Sequence, residues 1–210
     1  NWNAVWEANF QPLLVGKFCG IRADFHAEIH EVQHELIINP KMAFGTGHHE
    51  TTHMMIQMME ALTFDEKKVL DFGCGTGVLA ILASKLGALT VEAVDIEQAS
   101  YENTKENATI NQAGNVKAYF GDLNAIKATG FDIILANINR NVILNSLPAL
   151  YNKLNPAGLL LISGVLIQDM ENVFERATQA GFAGGRKQQK GEWACMELLK
   201  GRDQGNTYSE

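Results

Sequence analysis

The 210-residue sequence is poor in several things, and each scarcity removes a class of explanation. Its three cysteines, Cys19, Cys74 and Cys195, lie far apart and form no C-x-x-C pair. Neither a disulfide framework nor a zinc knuckle is indicated, and a reducing compartment is expected. No apolar run approaches the roughly 18 residues of a membrane-spanning helix. Asn1-Trp2-Asn3-Ala4 carries no signal-peptide pattern, so a cytoplasmic chain without membrane contact is the expectation. Positive charge is in deficit too. Lys and Arg number 17 against 24 Asp and Glu, and a net charge of −7 argues against a broad grip on nucleic acid.

What remains is an ordinary globular composition, 46% apolar and 20% charged, enough for one domain plus a short appendage. Trp2, Trp6 and Phe10 recur at steps of four, which predicts a lead-in or linker helix over 1–12, ended by Pro12. Residues 13–39 alternate in part and predict short strands or a hairpin. His26, His30 and His34 also step by four, but on strand-like sequence they are expected to be solvated rather than metal-binding. A loop over 39–52 leads to a helix reaching about Leu62, with Met54, Met55, Met58 and Met59 turned inward as core.

From residue 69 strands and helices alternate. Strands are expected at 69–72, 90–94, 116–120, 131–135 and 159–163. The helices between them include one broken or kinked at Pro148 and one over 168–180. A hairpin of 185–189 and 193–200 closes the domain, and 201–210 is expected to be a disordered tail. Such alternation builds an open, mostly parallel sheet with an antiparallel edge, and its ligand belongs at the carboxyl ends of the strands. Asp71, Asp95, Asp122, Asn137 and Ser163 fall at those ends.

The stretch Val69-Leu70-Asp71-Phe72-Gly73-Cys74-Gly75-Thr76-Gly77 organises the rest. It is a buried strand, a tight glycine loop and a helix start, where backbone can approach a ligand closely. A dinucleotide fingerprint needs a third glycine at position 78, which is Val. The loop instead carries Asp71 two residues before its first glycine. An acid there would repel a pyrophosphate and suits a cationic cofactor such as S-adenosylmethionine. Asp95, twenty residues past Gly75, is placed to accept hydrogen bonds from ribose hydroxyls. Asp122 is either an acceptor for the adenine amino group or a plain turn residue.

These motifs resemble the ribosomal protein methyltransferase PrmA family, which methylates the eleventh protein of the large subunit. The similarity is carried by Ala43-Phe44-Gly45-Thr46-Gly47-His48-His49-Glu50-Thr51-Thr52, by the glycine loop, by Leu135-Ala136-Asn137-Ile138 and by Gly191-Glu192-Trp193. Asn1-Trp2 with Trp6 is similar to the linker before the family's catalytic domain. The resemblance implies the seven-stranded Rossmann-like sheet of class I S-adenosylmethionine-dependent methyltransferases over 13–200. It implies cofactor contacts at Thr52, Gly73, Asp95 and Asn137, with Phe44, Thr46 and Gly75 nearby. It implies methylation of lysine ε-amines and an N-terminal α-amine on a ribosomal protein. The family's small N-terminal recognition domain is not in this sequence, and Asn139-Arg140 stands where small apolar residues are usual, which bears on the substrate mouth.

Asn137 is the expected catalytic residue, aligning the amine by accepting its hydrogen bonds; capping of the following helix is the competing role. His49, a conceivable general base, is assigned a structural role in its loop. Two rival functions share the fold. One is transfer to another protein lysine or to adenine N6; the other is a non-catalytic module that only binds the cofactor.

Overall fold

The computed structural model describes residues 10–39 and 49–202, with the side chain of His49 excepted. The predicted lead-in helix before Phe10, the loop residues Phe44 and Thr46, and the tail beyond Arg202 lie outside the described residues. Residues 10–12 are irregular rather than helical.

Strands β1 (Leu13–Val15), β2 (Cys19–Arg22) and β3 (His34–Ile37) form a small sheet of their own. β1 and β2 make the expected hairpin, and β3 pairs parallel to β2. The large sheet holds β4 (Lys68–Phe72), β5 (Thr90–Asp95), β6 (Val116–Phe120), β7 (Phe131–Asn137), β8 (Leu154–Leu166), β9 (Phe182–Lys190) and β10 (Trp193–Lys200). Their order is β6-β5-β4-β7-β8-β10-β9.

Only β10 runs against the rest, since it is antiparallel to both β8 and β9. The second strand of the hairpin, not the first, enters the sheet. Composition explains this. Ala194 to Leu198 of β10 are buried, whereas Gly184 to Lys190 of β9 are polar or glycine and tolerate an open edge.

Helices cover both faces. α1 (His49–Glu60), α2 (Val78–Lys85) and α3 (Gln98–Ile110) share one core with the small sheet; Met54, Met55, Met58 and Met59 are buried in it. α4 (Arg140–Lys153) and α5 (Met170–Gln179) pack on the other face through Ile143, Leu147, Val173 and Ala177.

Two expectations need correction. α4 runs unbroken through Pro148, because buried Leu147 and Leu150 flank it and packing outweighs one missing N–H. β8 begins at Leu154, five residues before its predicted start. Asn155-Pro156-Ala157-Gly158 has turn-like composition, and Ala157 is indeed left-handed at φ 63°, yet the strand absorbs it as an irregularity.

β4 sits centrally. The chain leaves it outward through β5 and β6, then returns to lay β7 on its other side. That reversal is the topological switch point, where the carboxyl ends of β4 and β7 diverge and leave a crevice.

Candidate functional site

Three glycines follow β4, each for a different reason. Gly73 has φ +76°, and a Cβ there would lie 2.1 Å from Ile138 Cγ2. Gly77 has φ +82°, and its Cβ would press on Thr104. Gly75 has φ +55° with nothing within 4 Å of an added Cβ, so the loop leaves open space at its crest. The loop is anchored from behind. Gly73 N and Cys74 N both donate to Val94 O, at 2.8 and 3.1 Å, and Gly77 N donates to Cys74 O. A rigid, glycine-floored cradle ahead of α2 fits a nucleoside ligand that must approach the backbone closely.

Asp71 is 1% exposed, and its Oδ2 accepts from Ala80 N, the third residue of α2, at 3.1 Å. The aspartate thus ties strand to helix start from beneath the loop. Burial pushes its carboxyl up to about 7, the Ala80 bond opposing this and the Asp95 charge adding to it. The folded chain therefore holds this proton more tightly than the unfolded chain, whose ordinary value is 3.8. The cost of ionising Asp71 is absent below about pH 4, grows through the interval and is complete above about pH 7. Asp71→Asn, which keeps an acceptor for Ala80, should remove that part of the pH dependence. Between pH 5 and pH 8 the unfolding temperature of the unsubstituted protein should fall relative to the variant; parallel curves would remove Asp71 as the cause.

Asp95 closes β5. Its Oδ2 accepts from Gly75 N at 2.9 Å and its Oδ1 from Glu97 N at 3.0 Å, so one carboxylate orients both the cradle and the start of α3. Beside it Ile96 is 65% exposed, and across the end of β6 Phe120 is 56% exposed. Two large apolar side chains are thus bared at adjacent strand ends, Phe120 lying in register with Asp95. The sequence reasoning passed over both, although their position directly after Val94-Asp95 and before Gly121 was a usable signal. Asp122 is exposed and caps a 3-10 turn, its Oδ1 accepting from Asn124 N at 2.9 Å. Of its two predicted roles, the turn is the one the structure displays.

Asn137 ends β7, paired with Ser163 of β8. Its Nδ2 faces Thr52 Oγ1 at 3.5 Å, which brings α1 to the crevice. The competing role is already taken: Asn139 caps α4, accepting from Val142 N at 3.1 Å. Asn137 is left half-buried with its Oδ1 unengaged among the described residues. Ile138 is wedged between two glycines, for a Cβ on Gly164 would lie 2.3 Å from Ile138 O. Arg140 is not loose at the mouth; its Nη1 holds Asp169 Oδ1 at 2.6 Å, joining the start of α4 to the turn after β8. Ser163 is committed elsewhere, donating to Ala194 O.

Other candidates do not join the site. Cys74 faces Thr104 Oγ1 at 3.3 Å, and burial pushes its thiol far up, which suits an inert packing role. Of the three spaced histidines only His30 is exposed. His26 Nδ1 accepts from Ala23 N, and its ring stacks on Phe10; His34 packs edge-on to Phe18. They are thus more structural than expected, and no metal-ligating cluster occurs among the described residues.

A family model described as ribosomal protein L11 methyltransferase (PrmA) matches residues 1–201. The ribosomal protein L11 methyltransferase of Phocaeicola vulgatus is 41% identical over 201 residues, covering 95% of this chain and 72% of that protein. The protein of the same name from Porphyromonas gingivalis is 41% identical over 200 residues, covering 94% and 69%. Among solved structures, ribosomal protein L11 methylase from Lactobacillus delbrueckii subsp. bulgaricus superposes with a TM-score of 0.83 at 26% identity, covering 92% of this chain and 99% of that one. A methyltransferase from Pyrococcus furiosus, at TM-score 0.68 and 18% identity, shares the fold.

Proposed function

The chain belongs to the ribosomal protein L11 methyltransferase family, and on that premise we propose that it transfers methyl groups from S-adenosylmethionine to the large-subunit ribosomal protein L11, at lysine ε-amino groups and the N-terminal α-amino group. The observation that carries this reading is Asn137. It stands at the switch point beside the glycine cradle, with the capping of α4 left to Asn139 and its carbonyl oxygen unengaged among the described residues.

The cofactor supplies an electrophilic methyl group on a sulfonium. Gly73, Gly75 and Asp95 would hold its nucleoside part, with Ile96 and Phe120 as apolar neighbours; Asp122, proposed from its sequence position, would accept from the adenine amino group. Thr52 and Asn137 would line the methionine end, above buried Asp71. Phe44 and Thr46 are proposed as further contacts from the sequence resemblance alone.

The remaining work falls to the chain. A free lysine, with a pKa of about 10.4, is almost wholly protonated at neutral pH. Desolvation in the crevice beside Ile138 would lower that value, so that the amine reacts neutral and its proton leaves to solvent. Asn137 Nδ2 faces Thr52 Oγ1 at 3.5 Å, and Oδ1 would be the acceptor offered to the amine. An amine donating to Oδ1 has its lone pair aimed away from Asn137, and alignment of this kind is the main demand of an in-line displacement.

The acidic balance of the chain favours a basic protein partner over nucleic acid. No described helix is long and apolar enough to cross a membrane. Together with a ribosomal substrate, these points support work in the cytoplasm.

The test is incubation with radiolabelled S-adenosylmethionine and under-methylated ribosomal proteins. Label should appear in L11, in lysines and at the N-terminus. Label in RNA would replace this reading with a nucleobase enzyme, and cofactor binding without label with a non-catalytic module.

A further inference from the structure

α3 carries an unusual load for a helix. Asn103, Asn107 and Asn111 recur every fourth residue, at two interior positions and the C-terminal cap, and are 1%, 0% and 8% exposed. Asparagine is a poor helix former, and burying its amide is costly unless every group is bonded. Here the bonds are made. Asn111 Oδ1 accepts from Ile37 N at 2.9 Å, and its Nδ2 donates to Ile37 O at 2.7 Å. Asn107 Oδ1 accepts from Asn39 N at 3.0 Å, and Asn103 Nδ2 donates to Asn39 O at 2.7 Å.

Ile37 and Asn39 are alternate residues of an extended segment, so their N–H and C=O groups point to one side. The asparagines stand where a neighbouring strand would stand. Asn39 is fastened on its other side too, its Oδ1 accepting from Asp24 N and its Nδ2 donating to Asp24 Oδ2.

The same helix face grips the glycine loop. Thr104 Oγ1 donates to Gly75 O at 3.0 Å, and Asn107 Nδ2 donates to Thr76 O at 2.8 Å. Asn107 joins the two partners directly: its Oδ1 holds the segment at Asn39 and its Nδ2 holds the loop at Thr76. Asn111 serves the segment and its own helix, where its Nδ2 also donates to Asn107 O.

We infer that this asparagine ladder is a positioning device for the cofactor loop. Through Asn107 it couples the end of the small sheet to the carbonyl of Thr76, so S-adenosylmethionine affinity depends on that rung. The inference rests on the proposed cofactor and adds residues outside the crevice to those that govern its binding. Coupling is reciprocal: if the ladder strengthens cofactor binding, bound cofactor must strengthen the ladder.

Calorimetric titration with S-adenosylmethionine and thermal unfolding of Asn107→Ala, Asn107→Asp and Asn111→Ala test it. Both Asn107 variants should bind about tenfold more weakly, with KM for the cofactor raised and kcat at saturation retained. Asn111→Ala should unfold at a lower temperature yet bind within about threefold of the parent. A ladder with only a structural role would lower all unfolding temperatures and leave affinity alone, or weaken binding equally at both rungs; either result overturns the inference. Should the Asn107 variants not fold, amide hydrogen exchange of the unsubstituted chain decides. The Ile37 and Asn39 amides must exchange more slowly with cofactor bound, and unchanged rates refute the coupling. Absence of binding by the unsubstituted chain would overturn the cofactor reading and this inference together, whereas normal binding without a difference between rungs overturns this inference alone.

Discussion

Asn137→Ala should abolish measurable methyl transfer, a loss of at least about a hundredfold, while S-adenosylmethionine still binds. The two halves of that expectation come from different contacts. The cradle is built by Val94 O, Asp95 and the glycines, none of which bonds Asn137, so the cofactor keeps its main support. Asn137 touches Thr52 across the crevice and leaves Oδ1 for the acceptor amine. Truncation removes that acceptor without uncapping α4, because Asn139 performs the cap. Stability should therefore change little, which separates this variant from one that merely unfolds. Single-turnover labelling alongside calorimetric titration checks it. Activity within tenfold of the parent would end the assignment of Asn137, and lost cofactor binding would move it from the amine to the cradle.

The sheet was largely legible because its central strands are apolar runs with an acid or amide at the carboxyl end, as at Asp95 and Asn137, or one residue inside it, as at Asp71. It was illegible where local chemistry and packing disagree. Pro148 and the Asn155-Pro156-Ala157-Gly158 run look like breaks, yet burial on both sides carries α4 and β8 through them. The order of the last hairpin was also hidden in its connectivity. It could have been found in the contrast between polar β9 and apolar β10, since only the latter can stand inside a sheet.

The site was legible where residues end strands and hidden where they act from helices. Asp95 and Asn137 close β5 and β7 at the same end of the sheet, and Asp71 reaches that end one residue before β4 stops. Asp71 does so from beneath the loop, because the first turn of α2 claims its carboxylate. The asparagine ladder is hard to read because the sequence of α3, Gln98–Ile110, is polar almost throughout. The signal was the spacing of Asn103, Asn107 and Asn111, which places three amides on one face where solvation alone requires no such order.

A second pair of substitutions should separate the two walls of the crevice. Gly73→Ala and Gly164→Ala each force a Cβ against Ile138, and each residue sits at positive φ, +76° and +83°. Each should cost at least about 2 kcal/mol of stability from strain and overpacking. The clashes differ in kind. From Gly73 the Cβ meets Ile138 Cγ2, the end of a side chain, at 2.1 Å; from Gly164 it meets Ile138 O, C and N, which are backbone. Adding Ile138→Ala deletes Cγ2 and should restore much of the stability of Gly73→Ala, with a large favourable interaction between the two sites. The same addition should do nothing for Gly164→Ala, because the obstructing atoms remain. Function should divide along the same line. Gly73→Ala displaces the loop that bonds Val94 O and should weaken cofactor binding. Gly164→Ala displaces the peptide after Asn137 and should lower turnover more than cofactor affinity. Denaturation of both single and both double variants, with binding and labelling on those that fold, measures all four. Equal rescue by Ile138→Ala in the two backgrounds would show that the Ile138 side chain, and not its backbone, is what both glycines accommodate.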